Sequence, residues 1–154
     1  MKREIKFRGK SVQSGEWLYG YFQKYIEKFG SRLCVCAASV RTWKDALLYE
    51  VFPNTVGQYT GLKDKNGVEI YEGDILRSEG YAFRKDDCVP CYDIHEVVWN
   101  EADCGFSVAL WNRIVSGKEE QCKGSLYMLA DTDGCEIIGN VYDNPELIGR
   151  TKNE

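Results

Sequence analysis

The chain has 154 residues, enough for one domain that buries about two-thirds of its unfolded surface without metals or disulfides. Apolar residues make up 44% and aromatics 13%, with ten tyrosines and four tryptophans, which suits pleated, half-buried surfaces better than helices. A net charge of −4 argues against tight, sequence-independent nucleic-acid binding, whose affinity comes mainly from neutralised phosphates, and seven cysteines, an odd number, argue against a disulfide framework.

The first segment, MKREIKFRGK, alternates as a strand: Ile5 and Phe7 face a core while Lys2, Glu4, Lys6, Arg8 and Lys10 face solvent. No apolar run follows its charges, and no stretch of about eighteen apolar residues occurs anywhere, so neither a signal peptide nor a membrane span is expected and the expected compartment is the cytoplasm. Residues 17–26, WLYGYFQKYI, read as an aromatic strand in which Gly20 marks a bulge or a close backbone approach. A third short strand covers residues 32–37. Over 42–52, Trp43, Ala46, Leu47 and Val51 fall at helical spacing before Pro53, and a short helix is predicted there.

The stretch TGLKDKNGVEIYEGDIL, 60–76, is a hairpin followed by a tight corner. Asn66-Gly67 tolerates positive φ. A two-residue loop would place Asp64 opposite Glu69, like charge on like. A three-residue loop of Lys65, Asn66 and Gly67, with Gly67 left-handed, sets Lys63 opposite Glu69 instead and is preferred. Gly73 breaks the second strand, and Asp74 bonds its own backbone before the next begins. Gly61, Asn66, Gly67, Gly73 and Asp74 are thus predicted structural turn residues.

Residues 78–94, charged and interrupted by Pro90, read as a long loop or ragged hairpin. Strands are predicted over 95–99 and 105–111 with a turn between, then a polar connection over 115–124, then closing strands over 126–130 and 136–142. Asn144-Pro145-Glu146 has the cap, first-position proline and early acid of a helix start. The expected fold is mainly β: one barrel-containing domain, 1–154, of short antiparallel strands with one or two short helices.

The opening MKREIKFRGK, then Trp17-Leu18-Tyr19-Gly20, GQYTGLKDKNGVEIYEGDIL, Val97-Val98-Trp99, Gly105-Phe106 and EIIGNVYDNPEL occur in an order that resembles the YopX family of phage and prophage proteins. That resemblance implies a mostly β, barrel-containing fold and a gene carried on phages, prophages or other mobile elements. It implies no assigned reaction, cofactor or catalytic set, so no catalytic residue is carried over. Residues 78–94 and 107–133 are the least family-like and are expected to be variable loops or inserts.

No phosphate-cradling GxxxxGK[ST], GxGxxG, GxSxG elbow or HExxH occurs, and no enzyme activity is expected. The only histidine, His95, is conceivable as a general base, but a hydrogen-bonded structural role is the simpler reading. Cys88-Val89-Pro90-Cys91 has the spacing of half a zinc site with His95 following, yet no second CxxC exists, so Cys88, Cys91 and His95 are weak metal candidates and no cofactor is expected. Its acidic surroundings, DDCVPCYD, also disfavour a redox thiolate.

Lys2, Lys6, Arg8 and Lys10, with Trp17 and Tyr19, form a possible nucleic-acid or partner surface, since small barrels stack bases on aromatics beside a basic groove. The plainer reading is a solvated edge over core aromatics. The expected function is a non-catalytic module binding a protein partner or a second copy of itself. Single-stranded nucleic-acid binding is the alternative, and a zinc-dependent activity ranks third.

Overall fold

The computed structural model describes residues 4–27, 30–37, 48–84, 87–129, 132 and 134–150. By their internal contacts the residues group into two compact units, Met1–Gly61 and Leu62–Glu154. Strand pairing explains the division: the strands before Gly61 pair chiefly with one another, and so do those after it.

In the first unit the strands are β1 (Phe7–Lys10), β2 (Trp17–Glu27), β3 (Gly30–Ala37), β4 (Leu48–Glu50) and β5 (Gly57–Lys63). They lie in the order β4-β3-β2-β1-β5, and β6 (Glu69–Tyr71) continues that order where β5 runs on past Gly61. β1 is therefore an interior strand, paired on one side with β2 and on the other with β5. Interior placement reverses the expected burial: Arg8 is buried, while Ile5, which precedes the paired residues, is 56% exposed. Gly20 pairs in unbroken register with both Phe7 and Ala37, so no bulge forms there. A Cβ on Gly9 would lie 3.0 Å from Val51 Cβ, and that close approach is the packing use of a glycine in this sheet. The predicted helix over 42–52 lies partly outside the described residues; its described part, Leu48–Glu50, is strand paired with β3, because cross-strand pairing overrides a weak helical period. A 3-10 turn at Pro53–Thr55 follows.

The second unit holds a five-stranded antiparallel sheet in the order β10-β9-β8-β7-β11, where β7 is Asp74–Arg84, β8 Asp87–Asn100, β9 Gly105–Val115, β10 Lys118–Met128 and β11 Cys135–Asn140. The segment expected as a long loop or ragged hairpin is a hairpin, β7 and β8 pairing from Ile75↔Glu96 to Arg84↔Asp87, and the strands predicted over 105–111 and 126–130 belong to a second, longer hairpin of β9 and β10 that also takes in much of the expected polar connection over 115–124. Polarity obscured the strand character of these segments, since solvent-facing positions of an antiparallel sheet need not be apolar. Pro90 is tolerated because β9 reaches β8 only from Cys91 onward, so beside Pro90 only β7 needs to be satisfied.

Nor are the strands uniformly short; β8 has fourteen residues. Among the described residues the sheet stays open instead of closing into a barrel, β10 and β11 each having one neighbour. Its two faces bury separate cores. Ile70, Leu76, Val97 and Val108 fill one, and Ile75, Ile94 and Ile148 the other. The predicted C-terminal turn is a 3-10 helix, Pro145–Ile148, that brings Ile148 onto the second face.

Candidate functional site

The hairpin after β5 closes between Asp64 and Val68: Asp64 N–H donates to Val68 O at 2.8 Å and Gly67 N–H to Asp64 O at 2.9 Å. The loop thus contains Lys65, Asn66 and Gly67, with Gly67 at φ 81°, the preferred register. Asp64 holds it from beneath. One oxygen accepts from the N–H groups of Asn66 (2.8 Å) and Val68 (2.9 Å), and the other from Ile137 N–H on β11 (3.2 Å). Burial pushes the Asp64 carboxyl up, but the N–H bonds from Val68, Ile137 and Asn66 together outweigh it and hold it below its ordinary value.

The corner is built alike. Asp74, buried, accepts from Tyr71 N–H at 2.8 Å, and Gly73 at φ 82° donates to Val97 O and accepts from Val141 N–H. Gly61 also has positive φ, 91°. Glu136 on β11 accepts from Lys65 (3.0 Å) and Arg77 (2.8 Å), which hold its carboxyl low. GLKDKNGVEIYEGDIL and EIIGNVYDNPEL, far apart in sequence, therefore meet: Asp64 and Lys65 of the hairpin and Gly73 of the corner bond to the second segment, β11 pairs with β7, and Ile137 packs with Ile70 and Leu76. Glu69 accepts from the Tyr71 hydroxyl at 2.9 Å.

The β1–β2 register sets Arg8 beside Tyr19 and Lys10 beside Trp17, so these residues and Lys6 share one sheet face. Lys2 lies outside the described residues. On this face Arg8 is buried, while Lys6 and Lys10 are half-buried against aromatic rings. Arg8 is 6% exposed with its guanidinium 4.6 Å from the Trp17 ring centre, Lys10 lies 5.6 Å from the same ring, and Lys6 sits 4.8 Å from Tyr59 and pairs with Glu4. Tyr19 and Tyr21 stand exposed on this face, while Phe22 turns to the other and packs on Phe7.

Cys88 and Cys91 lie three residues apart on β8, and odd spacing on a strand points side chains to opposite faces. Cys88 is exposed and Cys91 buried, its thiol pushed up by burial and then by Asp93. A half-site that depends on both therefore does not assemble, and no group of three His, Cys, Asp or Glu residues gathers among the described residues. His95 shares a hydrogen bond with Ser78 Oγ through Nε2 at 2.9 Å, and its Nδ1 is buried with no partner among the described residues. Asp93, two residues before His95 on the strand, is engaged by Arg113 through two contacts of 2.6 Å, and the adjacent Glu96 by Trp111 and Arg150, so neither is shown orienting the imidazole. A 350 Å³ cleft over Val89, Val115, Ser116, Lys118 and Glu120 has neither Ser78 nor His95 in its lining.

Sequence reasoning placed a closing strand over 126–130 but read the first part of β10, within 115–124, as a polar connection, and it did not show that β10 is an edge. Leu126, Tyr127 and Met128 are 52%, 53% and 73% exposed at the sheet's edge. Their apolar character reads like that of any closing strand; only the strand order shows that, among the described residues, no strand lies beyond it.

Two antiparallel sheets, with a hairpin, a glycine corner and a proline-started turn, define a mainly β protein. The family model described as YopX protein matches residues 6–149, and the chain belongs to that family. No curated protein matches it. A crystal structure described as that of protein EF1440 from Enterococcus faecalis is similar over 96% of this chain and 99% of that one, with 23% identity and a TM-score of 0.48. No helix of the described residues is long and apolar enough to cross a membrane.

Proposed function

We propose that this chain is a phage- or prophage-type, cytoplasmic binding module that acts by engaging a protein partner or itself and not by catalysis. The observation that carries this reading is the exposed apolar run Leu126, Tyr127 and Met128 on an edge strand, where side chains and unpaired backbone together offer a surface. Extended segments of proteins bind such edges by adding a strand. The burial of Arg8 weighs against the nucleic-acid alternative, because a buried guanidinium presents little to a phosphate, and Lys6 and Lys10 are half-buried against Tyr59 and Trp17. The opposed placement of Cys88 and Cys91 weighs against zinc.

The test is a photoreactive amino acid at position 128, irradiated in cells that express the chain. Discrete protein adducts that resist nuclease, and that disappear when Tyr127→Lys is added, are the expected result. Adducts that nuclease removes, or protein adducts indifferent to Tyr127→Lys, would refute the reading.

A further inference from the structure

Sheet edges are ordinarily blunted by charge, proline or shortness, because a bare edge is a template for another strand. β10 keeps charges at its start, Lys118, Glu119 and Glu120, but residues 125–129, Ser-Leu-Tyr-Met-Leu, carry neither charge nor proline. Backbone direction there is fixed by one bond: Leu129 N–H donates inward to Phe106 O at 3.3 Å. N–H and C=O directions alternate along a strand. Leu126 and Met128 therefore point their backbone groups out of the sheet, whereas Tyr127 points its own toward Val108 on β9.

We infer that this edge pairs with the same edge of a second copy of the chain, antiparallel about a two-fold axis at Tyr127. The inference rests on the binding-module reading and names its partner. In this register Leu126 faces Met128 of the second copy, and the two exchange both outward backbone hydrogen bonds; symmetry repeats the exchange. Tyr127 faces Tyr127 of the second copy as the closer, non-hydrogen-bonded pair, where aromatic contacts across strands are favourable.

Every exposed apolar side chain of the run thus gains an apolar partner. Centring the axis on Leu126 would also match the backbone, but it would set Met128 against Gly124 and Tyr127 against Ser125, leaving the largest side chains poorly covered. Isologous pairing uses the edge of both copies at once, so it closes as a dimer and does not propagate as a ladder.

The axis places residue 127 opposite itself, and that makes the register testable by charge. Sedimentation equilibrium is run on the wild type, on Tyr127→Lys, on Tyr127→Glu and on the two variants mixed, with thermal melts to verify folding. Expected are twice the chain mass of 17.6 kDa for the wild type, the single mass for each variant alone, and the double mass restored in the mixture. A wild type of single mass overturns the inference while leaving the binding-module reading to the photocrosslinking result. A dimer that survives in each variant alone, or variants that fail to re-associate when mixed, overturns this surface and register.

Discussion

At Gly67 the cost of a side chain is separable from packing. A Cβ built there meets nothing within 4 Å, yet φ is 81°, so any penalty comes from the backbone alone. A β-branched residue resists the left-handed region, and Gly67→Val is expected to lose roughly 1–2 kcal/mol, with Gly67→Asn milder because its short polar side chain tolerates αL. Equal melting temperatures for wild type and Gly67→Val would show that the loop relaxes to another turn. Gly139 is the contrasting case: a Cβ there would stand 2.6 Å from Asn144 Oδ1, so its freedom is used for space. The Asn144 side chain makes no cap bond to the turn that follows, although the residue type reads as a cap in sequence.

At the scale of elements, bulges decide what the long hairpins present. Between Ile94↔Asn112 and His95↔Leu110 strand β9 carries one extra residue, Trp111, whose Nε1–H then donates to Glu96 Oε2 at 2.8 Å. Arg150 completes the group, 2.9 Å from the same carboxylate oxygen and 4.8 Å from the Trp111 ring centre. On the opposite face the β7–β8 ladder buries His95, and its pKa is lowered below 6.5 first by that burial and also by Arg113, with Asp93 opposing. The fold therefore favours the neutral imidazole. As pH falls below about 6.5 the unfolded chain takes up the proton first, so stability present above that pH declines until the folded pKa is reached. Because His95 is the only histidine, urea midpoints should drop between pH 7.5 and pH 5.5 in wild type and stay level in His95→Gln. An equal drop in both proteins would place the titration elsewhere. Asp64 and Glu136, both with lowered pKa, act in a more acidic window and do not confuse the comparison.

For the whole molecule the question is whether an acidic chain uses the cation-rich face of β1 and β2. Lys6 and Lys10 are the residues to reverse, because Arg8→Glu would bury an unpaired carboxylate and confound folding with binding. Wild-type chain is expected to bind no single-stranded oligonucleotide at low-micromolar concentration, and Lys6→Glu with Lys10→Glu to change nothing, since the cations already lie against Trp17 and Tyr59. Salt-sensitive binding that the double variant abolishes would establish the opposite.

What the sequence determined by itself was local. The three-residue loop at Asn66-Gly67, the corner at Gly73-Asp74 and the proline-started turn at Pro145 each follow from φ preferences and from hydrogen bonds spanning a few residues, and each formed where expected. The family likeness was legible from short motifs, two of which contain these turns. Only the tertiary structure decided which strands are interior and which are edges. Alternation tells which residues share a face, but burial depends on neighbours hundreds of atoms away in the chain, so Arg8 on an interior strand is buried and Leu126 on an edge is not. Likewise CxxC reads as a ligand pair only if the backbone turns between the thiols; an extended strand through Cys88 and Cys91 sends them to opposite faces, and strand pairing with β7 imposes that extension.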